Sequence, residues 1–243
     1  MFPLRDLNPT RVFPLVTLGL VIANVVVFFG FQPNPANPRA AATFALEHAA
    51  IACEVTSGRT LSMREVVGGL CLPDAGGPAA FPEKRVELSV LVSMFLHGGL
   101  LHLAGNMWFL WVFGNNVEEA FGHARYALVY VLAGVVATLA FIFMHPLSIV
   151  PLVGASGAVA GVLGSYFVLY PGHWVVALLA FYVLPIPAAV FLGLWFLGQF
   201  AVADPGVAWE AHVAGFLFGA VATLLFRAPL LRRVRRLHRA GVG

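Results

Sequence analysis

Three short stretches of this chain hold side chains whose types and spacing suit one chemistry: His97, His102 and Asn106 in "HGGLLHLAGN", Ser156 in "GASGAVAG" and His212 in "AHVAG". A serine hydroxyl becomes a useful nucleophile only when a neighbouring base takes its proton, and His212 is a base of the right kind. Acyl transfer also needs donors aimed at the developing oxyanion. His102 and Asn106, at i and i+4, leave a helix on the same face, and the first N–H groups of a helix opening at Ser156 have no intrahelical acceptor. His97 lies five residues before His102, roughly 140° around a helix of ~3.6 residues per turn, and is expected to face elsewhere as a structural residue bonded to the outer loop. Plainer roles exist for each group. Ser156 can bond back to its own helix, Gly157 and Gly161 form a small-xxx-small packing pair, and His102, Asn106 and His212 can join helices. The argument for chemistry is that all of them fall at one depth.

That depth is set by apolar elements. The chain is 60% hydrophobic and 10% charged, with mean hydropathy +0.89, far from the roughly 25% charged residues of soluble domains. A hydrocarbon core asks for about 20 apolar residues per helix, and six segments meet or approach this, at about 12–31, 90–114, 124–144, 154–171, 175–199 and 209–227. The expectation is an all-α integral membrane protein with six spans. Its membrane domain covers 12–227, between an N-terminal segment at 1–11 and a basic tail at 228–243. Six of the fourteen Lys and Arg residues lie from Arg227 onward, which places both termini in the cytoplasm by the positive-inside rule. Anionic lipid headgroups, rather than nucleic acid, are the natural partners of that tail. The first apolar stretch is too long for a signal-peptide core and lacks a cleavage motif, so it is expected to be retained.

With this topology, helices 2, 4 and 6 start at the outer face and carry the polar residues there. Ser156, Ala160 and Gly164 share one helix face, as do His212, Gly215 and Gly219, so small residues would allow close approach of the two helices. A long extracytoplasmic loop at about 32–89 holds both cysteines, Cys53 and Cys71, which are equally suited to a disulfide or to burial as free thiols. Pro185 and Pro187 should kink or break the fifth helix.

"HGGLLHLAGN", "GASG" and "AHVAG", in this order and on these helices, resemble the three signature blocks of the rhomboid intramembrane serine proteases, over about residues 85–227. The resemblance implies a six-helix bundle and a Ser–His dyad with Ser156 as nucleophile and His212 as general base. No acidic third member is implied; Glu210, two residues from His212, faces away. His102 and Asn106 match the family's oxyanion residues, and Glu118 a structural acid after helix 2. The substrates implied are transmembrane proteins, without metal, cofactor or obligatory partner, and a bacterial plasma membrane is the expected location. Two positions depart from the pattern. Ala160 stands where many members carry a tyrosine stacked on the histidine, and "VELSVLVSMFLH" lacks the Trp-Arg pair often found upstream.

Other readings are a non-catalytic rhomboid-like protein that binds transmembrane helices, a haem or metal protein using His97, His102 and His212, and a transporter. Members of the first kind typically lose the serine or histidine that this chain keeps. The histidine spacing lacks a metal motif, and no charge lies in the interior of an apolar segment, away from its ends, to hold a transported ion.

Overall fold

A computed structural model describes residues 2–72, 77–201 and 206–240. The chain opens with β1 (Phe2–Asp6) and α1 (Leu15–Gly30), followed by an outer segment of α2 (Pro38–His48), β2 (Ala50–Ile51), α3 (Ala52–Ser57), α4 (Met63–Gly68) and α5 (Val86–Val92). A 3-10 turn at Ser93–Phe95 leads to α6 (Leu100–Phe121), α7 (His123–Met144), β3 (Pro151–Leu152) and α8 (Ser156–Leu169). The chain then forms β4 (Trp174–Leu179), β5 (Tyr182–Pro187), α9 (Ala188–Gln199) and α10 (Trp209–Ala240). Among these, α7 and α10 are long and apolar enough to cross a membrane, and α5 with α6 qualifies as a pair bent by 78°. The apolar helices α1, α8 and α9 are shorter, at 16, 14 and 12 residues.

Two of the expected elements are different in kind. The fifth apolar segment, taken as a helix over 175–199, is a β-hairpin followed by the short α9, and the chain as a whole is mostly helical, as fits an all-α membrane protein. β1, β4 and β5 make an antiparallel sheet in that order, with Val176 opposite Pro185 and Trp174 opposite Pro187. The prolines lack the N–H a helix interior needs, and an edge strand tolerates them. The second segment is not one helix either. It breaks between Phe95 and Leu100, so His97 lies in the break rather than on a helix face.

α8 is the central element, buried from Gly157 to Tyr166, with α10, α7 and α6 packed on it. A β-carbon on Gly157 or Gly161 would lie 2.4 Å from the Cβ of Ala137 or Ala133 on α7. The carbonyls of the same two glycines abut Gly215 and Gly219 of α10. The small-residue stripes thus serve packing on two sides at once. Gly122 joins α6 to α7 as a single linking residue at φ +77°, a conformation side chains disfavour.

The end opposite Ser156 is organised by two adjacent acids of α6. Glu118, fully buried, accepts from the backbone N–H groups of Val16 and Thr17 at 2.8 Å each and from the Thr17 hydroxyl. It therefore caps α1, whose own N-cap, Pro14, has no side-chain acceptor. His123 Nδ1 also meets Glu118, so the acid is a helix cap as well as an ion-pair partner. Glu119 accepts from the N–H groups of Arg11 and Val12 and pairs with His238. That contact explains why the final helix passes the expected boundary at 228 and continues to Ala240. Leu230, with Leu231 and Val234 in part, buries against the core, while Arg232, Arg235, Arg236 and Arg239 are exposed and Arg233 Nε donates to the Glu119 carbonyl at 3.2 Å; residues 241–243 of the tail lie outside the described residues.

The outer segment, polar in composition, folds around its own small core of Ile51, Cys53 and Leu61. Cys53 and Cys71 form a disulfide, which settles the alternatives open in the sequence. Glu65 completes a capping box with Ser62 and receives both Arg59 guanidinium nitrogens. These bonds hold its carboxyl well below the usual carboxylate range, the Arg59 contact contributing most.

Candidate active site

Ser156 is the first residue of α8 and His212 lies in the first turn of α10. The close approach of these helices brings Ser156 Oγ and His212 Nε2 to 2.8 Å. On the far side of the ring, His212 Nδ1 lies 2.7 Å from Gln199 Oε1, at the end of α9. Gln199 Nε2 donates to the Trp195 carbonyl at 3.0 Å, and the Trp195 ring lies 6.2 Å from the imidazole, centre to centre. Glu210 turns away, as expected, and pairs with His145 Nε2 at 2.7 Å.

A cavity of about 820 Å³ opens beside this pair, lined by Ser156, His212, His102, Asn106, Gly154 and Trp195 among others. Asn106 is buried and uses one amide hydrogen on the His102 carbonyl, 2.9 Å away. An amide carries two hydrogens, and among the described residues the second has no acceptor, which leaves it to serve the cavity. The first helical hydrogen bond at this end of α8 is Val159 N–H to the Ala155 carbonyl, which leaves the N–H groups at Ser156, Gly157 and Ala158 without an intrahelical acceptor. Gly154, at φ +131°, passes between the two sides. A β-carbon there would sit 2.9 Å from the His102 ring and 3.4 Å from Ser156 Oγ, so only glycine leaves this space open.

The four residues singled out in the sequence therefore share one cavity, and the arrangement suits acyl transfer: a hydroxyl on an imidazole, with donors nearby for a developing negative charge. His97 is bonded to the outer loop at Gln32, as expected of a structural residue, but its ring does not face away from His102. Its angular separation from His102 assumed a continuous helix; with the helix broken, the two rings pack edge to face, 5.2 Å between centres. Neither His97 ring nitrogen has a hydrogen-bond partner among the described residues. Its backbone makes the anchor instead, exchanging two 2.9 Å bonds with the Gln32 amide just beyond α1.

Gln199 and Gly154 were not legible as site residues from spacing. For Gln199 a signal exists: it is the only amide in the apolar run "AAVFLGLWFLGQF", and a polar side chain at membrane depth is a functional candidate by default.

The family model described as "Rhomboid domain" matches residues 86–229. The chain is 32% identical over 168 residues to Rhomboid protein 1, mitochondrial, of Saccharomyces cerevisiae, covering 64% of this chain and 46% of the relative. It is 36% identical over 150 residues to Rhomboid-related protein 2 of Mus musculus, covering 57% and 48%. Against Rhomboid protease GluP of Bacillus subtilis it is 40% identical over 76 residues, covering 31% and 14%. The alignments thus span half or less of each relative's length. A mitochondrial name among them leaves the expected bacterial plasma membrane without support.

Proposed function

Because the chain belongs to the rhomboid family, we propose that it is an intramembrane serine endopeptidase acting on transmembrane segments of other proteins. The observation that carries this reading is the 2.8 Å contact between Ser156 Oγ and His212 Nε2 beside an open cavity among apolar helices. As Ser156 Oγ attacks a peptide carbonyl, His212 Nε2 takes its proton. The charge that develops on the carbonyl oxygen is received by N–H groups at the start of α8, by the free amide hydrogen of Asn106 and by His102. His212 then protonates the departing amine, and the acyl group stays on Ser156. A water molecule, deprotonated by His212, releases the second product and restores the hydroxyl.

The short α8 gives this chemistry its depth. Fourteen helical residues rise about 21 Å at 1.5 Å each, less than the ~30 Å hydrocarbon core. A helix seated at its C-terminal end therefore starts inside the bilayer, and Ser156 is its first residue. In this reading six apolar elements, α1, α6, α7, α8, α9 and α10, form the bundle, with the basic end cytoplasmic and lipid around it.

The test is cleavage of a transmembrane reporter by the purified chain in proteoliposomes. Ser156→Ala and His212→Ala should each abolish cleavage while remaining folded and inserted. Parental rates from Ser156→Ala would overturn the proposal. Binding of transmembrane helices with no cleavage by the parent would favour the non-catalytic reading instead.

A further inference from the structure

We propose that Gln199 is the positioning residue of the Ser156–His212 pair, fixing the imidazole in the one tautomer that can accept the serine proton. This rests on the protease reading above. The geometry determines the tautomer through a chain of forced assignments. The Trp195 carbonyl can only accept, so the amide atom 3.0 Å from it is the nitrogen of Gln199. The other end of the amide, facing His212 Nδ1 at 2.7 Å, is then the oxygen. An oxygen there requires a hydrogen on Nδ1. A neutral imidazole carries one such hydrogen, so Nε2 holds a lone pair, directed at Ser156 Oγ 2.8 Å away.

Two further features favour this role. Gln199 and Trp195 stand at i and i+4 on α9, and both approach the same ring, so one helix face supplies the amide and a flanking aromatic. On the nucleophile's own helix, one turn from Ser156, Ala160 offers no side chain able to orient the imidazole. A glutamine also fits a low-dielectric site better than a carboxylate. Its carbonyl dipole favours the imidazolium that forms during attack, yet it adds no permanent charge that would have to be desolvated. Among the described residues no acid is bonded to the His212 ring, and the Gln199 amide takes that place.

The experiment compares Gln199→Met, which keeps length and volume but removes the acceptor, with Gln199→Glu, which keeps an acceptor oxygen at the same reach. In the full chain, Gln199→Met should lower kcat about 10- to 100-fold, the range seen when groups orienting metal-bound histidines are removed, with KM nearly unchanged. Gln199→Glu should recover most of that loss. The nitrogen NMR signals of His212, identified by their absence from His212→Phe, should report a hydrogen on Nδ1 in the parent and a mixture of tautomers in Gln199→Met. Parental kcat in Gln199→Met, or a loss that Gln199→Glu does not rescue with an unchanged tautomer, would overturn the inference. If Gln199→Met fails to fold, Gln199→Ala takes its place in the same measurements. The tautomer signal needs no cleavage, so it separates failure of this inference from failure of the protease reading, which shows as parental cleavage by Ser156→Ala.

Discussion

The carbonyl oxygen of Gly161 occupies the place a side chain on Gly219 would need: a β-carbon there would lie 1.9 Å from it. The same holds one turn nearer the site, where Gly215 faces the Gly157 carbonyl at 2.1 Å. Backbone cannot rotate aside as a side chain can, so Gly219→Ala must push α10 from α8 and separate His212 from Ser156. We expect a loss of about 1–3 kcal/mol in stability and a larger loss of cleavage. Gly19→Ala on α1, where nothing lies within 4 Å, should change neither. Thermal melting and reporter cleavage on the same samples check both.

A serine-reactive phosphonate should label Ser156, and labelling should require His212, because the hydroxyl attacks only as its proton is removed. Mass spectrometry of the labelled peptide from the parent and from His212→Ala is the measurement. EDTA should leave the rate unchanged; activity lost to chelation and restored by zinc would point to metal chemistry.

Asn106 separates oxyanion stabilisation from packing. Its free amide hydrogen predicts that Asn106→Ala lowers kcat by about 10²–10³ with little change in KM. If the residue only joined helix turns through the His102 carbonyl, the variant would show parental kcat and a lowered melting temperature.

Asp6, in β1 and outside the apolar helices, is bonded by Asn116 Nδ2 and by the Tyr166 hydroxyl at 3.1 Å. Burial raises its pKa from 3.8 to about 6. A raised acid favours the fold in its protonated form, so its stabilising contribution is complete below about pH 4 and lost as pH rises through about 6. Asp6→Asn keeps an acceptor without the charge. It should melt higher than the parent at pH 8, and the gain should vanish near pH 4.

In the outer segment, Lys84 Nζ meets Glu54 Oε2 at 2.5 Å, both side chains 1% exposed. Burial lowers the lysine's pKa, opposed by the carboxylate beside it. Lys84→Met strands a buried carboxylate and should cost about 3–5 kcal/mol, whereas Lys84→Met with Glu54→Leu should cost much less. Denaturant unfolding of the single and double variants measures this.

Much of the site was legible because membrane burial makes polar residues expensive. Ser156, His102, Asn106 and His212 stand out against apolar surroundings, and small residues at helical spacing mark α8 and α10 as neighbours. Periodicity failed where an apolar run has no polar face to set its phase: 175–199 reads equally as helix or strand. Only pairing with β1, together with two prolines suited to an edge, decides for the hairpin. The His97 position failed for a related reason, since a helical wheel assumes a helix and Gly98–Gly99 interrupt it. What sequence alone determined here is membrane character, the order of the apolar elements and the side chains available for chemistry, because these depend on composition and local spacing. The tertiary structure decided the Cys53–Cys71 bond, the capping of α1 by an acid 102 residues away from Val16, and the contact of Gln199 with His212. Each joins groups on separate elements, and their meeting depends on helix crossings that no local pattern encodes.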